Sequence, residues 1–219
     1  MKDSGVEWLG EVPEHWDVVP LLKKISSIVD YRGRTPQKVE DGIFLLTARN
    51  IGKGKIDYEC AQEYTTEADY REIVKRGKPV VGHVVFTTEA PLGHVANLDR
   101  DDIAIAQRVI KFDGLAKTLD NTFLKYFILS SFFQAQLYSY ATGSTALGIK
   151  VEKLVYLRLV LPPYSEQQII VRYLEEQVRN ITRIIDAVRS SIDILRERRS
   201  ALITAAVTGQ IDVREAAIE

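Results

Sequence analysis

From Ser165 to Thr208 the chain contains neither glycine nor proline, and this stretch limits the fold more than any other feature. Pro162 and Pro163 stand just before it and disfavour extending a helix backwards. Gly209 stands just after it, where a residue able to turn left-handed ends a helix. Ser165-Glu166-Gln167-Gln168 reads as a capping box, with the serine hydroxyl and the Gln168 amide taking free N–H groups at the helix start. The spacing predicts one helix over about 166–208, about 43 residues and about 64 Å long at 1.5 Å per residue. An ordinary helix has about 11–12 residues.

So long a helix needs something to cover it. Leu174, Ile181, Val188, Leu195 and Leu202 recur every seven residues. Val178, Ile185, Ile192 and Ala206 fall four residues after the first, second, third and fifth of them. Alternation of four and three is a heptad seam, which calls for a partner helix in a left-handed supercoil. Arg199 is the one polar position in the seam, a break that sets register or leaves the seam for another surface. Ala206 thins the seam at its end. The flanks carry Arg172, Arg179, Arg183, Arg189, Arg196 and Arg198 but no lysine. A helix lying along its own domain is the competing arrangement, but a body of about 160 residues is short for so long a stripe.

Before the prolines the pattern is different. Short apolar runs at 42–46, 80–88, 103–112 and 154–161 alternate with glycine, aspartate and asparagine, as strands do between turns. Residues 123–140 read as one helix packed on those strands, and 64–77 as a shorter polar helix. Pro36, Pro79 and Pro91 punctuate loops. The expected fold is therefore α+β: a mixed α/β domain over 1–161, then a long coiled-coil helix and short tail over 162–219.

Composition narrows the function classes. The 219 residues are 46% hydrophobic and 27% charged, which suits a folded protein. No apolar run approaches the ~20 residues of a membrane-spanning helix. The first residues are acidic and lack the apolar core of a secretory signal, so the expected location is cytoplasmic. One cysteine, Cys60, allows neither an internal disulfide nor a cysteine-rich zinc site. Net charge is −1, unlike the basic excess usual in strong nucleic-acid binders. Its distribution is uneven: net −4 over 1–19, but +3 over 20–80 and +3 over 121–165.

The ends of the chain carry a specific resemblance. Gly5-Val6-Glu7-Trp8-Leu9-Gly10 with Val12-Pro13-Glu14-His15-Trp16 resembles the opening of Type I restriction specificity subunits. Leu161-Pro162-Pro163, Glu166-Gln167-Gln168 and Tyr173-Leu174 resemble the start of that family's helical spacer. Arg198-Arg199-Ser200-Ala201-Leu202-Ile203-Thr204-Ala205-Ala206-Val207-Thr208-Gly209-Gln210-Ile211-Asp212 resembles its end. Between them, Gly33-Arg34-Thr35-Pro36, Phe86-Thr87-Thr88 with Gly93, Ile105-Ala106-Gln107 and Thr142-Gly143-Ser144-Thr145 resemble pieces of a target-recognition domain. The resemblance implies a DNA-sequence-reading subunit that performs no catalysis itself. Family members usually have two recognition domains and two antiparallel spacer helices, and each domain reads half of a bipartite double-stranded site. Methylation subunits dock on that assembly and transfer methyl groups to adenine N6 from S-adenosylmethionine, which they hold themselves. Whether a translocating restriction (nuclease) subunit joins stays open. This chain has one domain and one helix, so it is either a half-length subunit whose implied working form is a two-fold homodimer reading a palindromic site, or a fragment of a longer reader.

Base readout needs planar or bidentate hydrogen-bonding groups, and phosphate positioning needs cations, hydroxyls and N–H groups. Arg32, Arg34, Thr35 and Lys38 supply both within one loop shaped by Gly33 and Pro36. Arg49, Lys53 and Lys55 form a second cluster, a phosphate clamp or simply a charged hairpin tip. Thr87, Thr88, Gln107, Ser144 and Thr145 lie where strands or a helix run into loops, positions that often carry binding groups. Trp8 and Trp16 are read as anchors for the N-terminal segment, onto the domain or onto a partner's helices.

Enzyme signatures are weak. Leu161-Pro162-Pro163-Tyr164 resembles an adenine methyltransferase motif, but that motif needs a polar residue where Leu161 stands. No glycine-rich turn follows an early strand, Lys53-Gly54-Lys55 lacks Walker spacing, and His15, His83 and His94 lack metal-ligand spacing. A coiled-coil scaffold whose head binds protein is the alternative from another class.

Overall fold

The computed structural model describes residues 1–5, 10–31, 35–144 and 146–211. In chain order, the first strands are β1 (Lys2–Asp3), β2 (Glu11–Val12), β3 (Asp17–Pro20) and β4 (Ile25–Asp30). β5 (Lys38–Val39), β6 (Ile43–Leu46), β7 (Tyr64–Thr65) and helix α1 (Glu67–Val74) follow. Then come β8 (Val84–Thr87), β9 (Val95–Asn97), β10 (Ala104–Ile105) and β11 (Val109–Gly114). Helices α2 (Asn121–Leu129) and α3 (Ser131–Ser139), strand β12 (Arg158–Leu161) and helix α4 (Tyr164–Val207) complete the order. The chain divides into two compact units, Met1–Val171 and Arg172–Glu219.

The first unit is organised by an antiparallel sheet in the order β4-β11-β8-β9. Its inner strands β8 and β11 are largely apolar because both of their faces are covered, whereas the edge strand β4 is mostly exposed. Successive side chains point to opposite sides, so Val84, Phe86, Ile110 and Phe112 enter one core while Val85, Ala96 and Val109 enter another. The first core is roofed by α2 and α3 through Phe123, Leu124, Phe133 and Leu137. Phe86 meets Phe133 edge-on at 6.5 Å. Full burial of each such ring contributes roughly 1.5–3 kcal/mol. The second core includes Phe44 and Leu46 from a mixed sheet in the order β10-β6-β7-β5. Lys111 is a buried charged residue on β11: its Nζ donates to the carbonyl of Lys78 at 2.6 Å, and burial pushes its pKa down.

Local chemistry corrects three expected elements. The helix expected over 123–140 is two helices. Ser130 takes an extended conformation (φ −65°, ψ 146°); its hydroxyl donates to the carbonyl of Phe127 at 2.6 Å and accepts from the N–H of Phe133 at 3.2 Å. One serine thereby ends α2 and caps α3. The expected strand over 103–112 is split into β10 and β11 by a turn in which Arg108 has φ 71°. The polar helix expected over 64–77 begins as strand β7 and becomes helical only after Thr66, whose hydroxyl accepts from the N–H of Asp69.

The long helix is present as α4, 44 residues from Tyr164 to Val207. It starts earlier than the capping box implies: Ser165 is its second residue, and the carbonyl of Pro163 accepts from the N–H of Gln167 at 3.1 Å. At its far end Gly209 has φ 74° and the N–H of Gln210 returns to the carbonyl of Ala205 at 2.8 Å, a glycine stop.

Within the first unit, the opening turns of α4 are fixed by polar contacts. Gln167 is fully buried. Its Oε1 accepts from the N–H of Asp120 at 2.9 Å, and its Nε2 donates to the carbonyls of Thr118 and Pro162, both at 2.8 Å. Glu166 accepts from the Trp16 indole at 2.6 Å and pairs with His15 at 2.8 Å, so Trp16 anchors the N-terminal segment to its own domain. Those hydrogen bonds hold the Glu166 carboxyl below its usual range. β3, just after Trp16, pairs with β12, just before α4, through Val18↔Val160 and Val19↔Leu159.

Replacing Gln167 with leucine keeps the volume but leaves buried backbone groups without partners. The expected loss is about 2–4 kcal/mol of unfolding free energy, read by urea denaturation. A change under about 0.5 kcal/mol would contradict this role.

Candidate nucleic-acid interface

Two parallel strands set the site. β6 and β10 pair through Leu45↔Ala104 and Leu46↔Ile105, and the N–H of Ala106 continues the ladder to the carbonyl of Leu46 at 2.9 Å. The segments that leave these strands, residues 47–50 and 106–108, therefore emerge at one edge. Residues 47–49 and 106–108 line a cleft of about 400 Å³ together with Thr35, Lys38 and Glu63.

Each wall has its own support. Asn50 is fully buried and spends its whole amide on the turn: Oδ1 accepts from the N–H and hydroxyl of Thr47 at 3.0 and 2.8 Å, and Nδ2 donates to the carbonyls of Asp57 and Ala61. That lock holds Arg49 exposed at the rim. Arg108 sits in left-handed backbone, a conformation costly for a residue with a side chain. Its carbonyl accepts from both the N–H and the hydroxyl of Thr88, at 2.9 and 3.2 Å, which offsets that cost. Its guanidinium lies 4.0 Å from Glu89.

The electrostatic centre is Glu63, whose side chain is only 13% exposed. It pairs with Lys38 at 2.7 Å and with Arg49. Burial pushes its pKa up, but the two cations outweigh burial and hold the carboxyl below its usual range. Beside it, the Gln107 amide donates to the Thr35 hydroxyl at 3.3 Å. The cleft thus presents three cations, one internal carboxylate, a half-buried amide and an exposed hydroxyl. That set can hold phosphates and read a planar hydrogen-bonding edge.

The structure brings together Thr35, Lys38, Arg49 and Gln107 from the expected set. Lys53 lines a neighbouring cleft of about 540 Å³ with His94, Gln134 and Tyr138, and Ala90 borders both clefts. Lys55 is exposed on the tight turn where the N–H of Gly52 meets its carbonyl at 2.9 Å. Ser144 is exposed on the loop after α3. Arg32, Arg34 and Thr145 lie outside the described residues. Thr87 and Thr88 need correction. They are 0% and 5% exposed, with the Thr87 hydroxyl accepting from the N–H of His94 and the Thr88 hydroxyl donating to Arg108, so they brace the cleft from behind.

Sequence reasoning missed Glu63 and Arg108. Arg108 adjoins Gln107 at a strand end, a signal that was there to use. Glu63 had none: it stands 25 residues from Lys38 and 14 from Arg49, and only the β7 pairings with β5 and β6 join them. Among the described residues, no group of three or more His, Cys, Asp and Glu side chains is placed to hold a metal ion. No helix of the described residues is long and apolar enough to cross a membrane.

Comparison with known proteins gives a consistent result. A family model described as "Type I restriction modification DNA specificity domain" matches residues 24–193. The chain is 24% identical over 217 residues to the Type I restriction enzyme MjaVIII specificity subunit of Methanocaldococcus jannaschii, covering 94% of this chain and 48% of that protein. It is 22% identical over 216 residues to the Type I restriction enzyme EcoKI specificity subunit of Escherichia coli K12, covering 92% and 44%. The chain therefore spans about half the length of the curated relatives it matches. Its fold is shared with a chain from a structure on complex assembly and conformational transition of the type I R-M system (TM-score 0.67, 17% identity, 90% of this chain and 47% of that one). It is also shared with the HsdS subunit from Thermoanaerobacter tengcongensis (TM-score 0.53, 18% identity, 79% and 40%).

The Glu63 pairs give a pH dependence. A carboxyl lowered by folding contributes stability that is fully present above its ordinary value of 4.5 and is lost as pH falls through the lowered folded value. Glu63→Gln should be less stable than the parent near neutral pH, and the gap should close in acid below that range. Urea denaturation across pH checks this. A gap that stays constant in acid would contradict it.

Proposed function

Because this chain belongs to the Type I restriction modification DNA specificity family, we propose that it is a non-catalytic DNA reader that works as a pair of identical chains. The observation that carries the proposal is the coexistence of one recognition-type cleft with one long helix whose apolar seam is exposed. Val178 is 48% exposed, Ile185 44% and Ile192 43%. Large aliphatic side chains in one continuous exposed stripe mark an interaction surface.

In this reading Lys38, Arg49 and Arg108 approach phosphates, while Gln107, steadied by Thr35, presents its amide to a base edge. A glutamine amide can both donate to and accept from adenine in the major groove. Glu63 holds two of the cations at rest, and a phosphate competes with it for them on binding. Lys53, Lys55 and Ser144 extend the same role along the surface. Two copies joined through α4 present two such clefts, which suits a bipartite, palindromic double-stranded site. The methylation subunit, which holds S-adenosylmethionine, docks on the assembled pair and supplies the chemistry; a restriction subunit is a further partner.

Two variants separate the parts. Ile185→Asp with Ile192→Asp should convert a light-scattering mass near twice 24.8 kDa into that of one chain, with the circular-dichroism spectrum of the domain retained. A dimeric mass in that variant would remove the seam from the interface. Arg49→Ala should leave the mass unchanged, weaken binding to a mixed-sequence duplex at low salt, and lower the slope of log affinity against log salt by about 1. Unaltered affinity and slope would remove the cleft from the DNA surface. Absence of DNA binding by the parent chain, even with its methylation subunit, would favour a protein-binding scaffold.

A further inference from the structure

Arg199 occupies a seam position between Leu195 and Leu202, and among the described residues it has no ion-pair partner. Glu175, next to the seam residue Leu174, has none either. A single polar residue in a seam costs stability and selects the register in which it is satisfied. The two residues sit 24 positions apart on one helix, which at about 1.5 Å per residue is about 36 Å, so they cannot satisfy each other within a chain. They can do so between chains.

We infer that α4 pairs antiparallel with α4 of a second copy in one register, with Val178 against Leu195 and Arg199 of one copy beside Glu175 of the other. This rests on the reading that the chain pairs with itself. In this register Ile181 layers on Ile192 and Ile185 on Val188, and the two-fold axis passes between residues 186 and 187. The flanking positions then bring Glu175 next to Arg196 of the second copy. In the isolated chain Arg196 holds Asp193 at 3.2 Å, with both side chains more than 70% exposed. Such a surface pair is weak and yields readily to an inter-chain partner. Each copy contributes the same contacts, so the arrangement gives two charge clusters, one at each end of the paired segment.

The competing registers fail on charge or coverage. Sliding the helices one heptad towards their C-terminal ends sets Arg189 against Arg189 at the axis and lays Arg199 on Ile181, where no carboxylate is near. Sliding them one heptad the other way carries Arg199 away from Glu175 and sets it against Gln167, which is fully buried in its own domain. A parallel, in-register pair stacks Arg199 on Arg199 within the seam. Like charges brought together and an unpaired charge under apolar cover are both unfavourable.

Cysteine pairs on the full-length chain test this. The single native cysteine, Cys60, is exposed and is replaced by serine. Chains carrying Val178→Cys are then mixed with chains carrying Leu195→Cys, Leu202→Cys or Val188→Cys, re-equilibrated and mildly oxidised. A disulfide-linked dimer is expected only with Leu195→Cys, and no self-linked dimer from Val178→Cys alone. Linkage to Leu202→Cys or Val188→Cys, or self-linkage of Val178→Cys, would overturn the register. Independently, Glu175→Arg or Arg196→Glu alone should weaken self-association, and the two together should restore it; failure of the double variant to recover also counts against it. Light scattering distinguishes the two levels: a monomeric parent chain sinks the pairing reading itself, whereas a dimer with another linkage pattern sinks only the register.

Discussion

The fold turns on one buried amide. Gln167 lies in the second turn of α4 and satisfies an N–H from the segment before α2, a carbonyl from the same segment and a carbonyl from the proline pair. An amide buried away from water is costly unless fully bonded, and directional once it is. Around it, Trp16 and His15 bring the N-terminal segment to Glu166, and β3 pairs with β12. The start of the helix, the chain's opening and the last strand of the domain thus meet at one polar junction. The domain core needs the strand pair, and the helix needs a fixed starting point.

From that junction the two halves of the function separate by physics. The inner strands of the domain are covered on both faces, and the polar groups of the cleft stand on the loops that leave the ends of β6 and β10. Glu63 keeps two cations close and ordered, which helps explain how a chain of net charge −1 can still present a cationic cleft. Beside these charges the neutral pair Gln107 and Thr35 is the part of the cleft proposed to read a base edge. The helix carries the opposite chemistry: aliphatic residues in a heptad stripe, exposed, with arginines along the flanks. One part is suited to bind a polyanion and the other to meet its own copy.

How much was legible in the sequence follows from the range of the interactions. The long helix was plain because its signal is local and periodic: a heptad stripe without glycine or proline, stopped by Gly209. The strands were placed well where apolar runs are bounded by turn residues, as at Ile43–Leu46. The break at Ser130 was hidden because serine is ordinary within a helix, and only its hydroxyl bonds to Phe127 and Phe133 show it acting as a cap. At the cleft, exposed cations were legible as residue types, but their common carboxylate was not, because strand pairing alone brings Glu63 to Lys38 and Arg49. Thr87 and Thr88 looked available because strand ends usually are; here two separate segments use their hydroxyls, the one at His94 and the one at Arg108.

The central claim is that two identical copies of this chain read one divided site. Selection of bound duplexes from a random DNA library, by the chain together with its methylation subunit, tests it most directly. An enriched inverted repeat is expected: two identical half-sites in opposite orientation, separated by a fixed unspecified gap. A single undivided motif, two unlike half-sites, or no enrichment at all would contradict it.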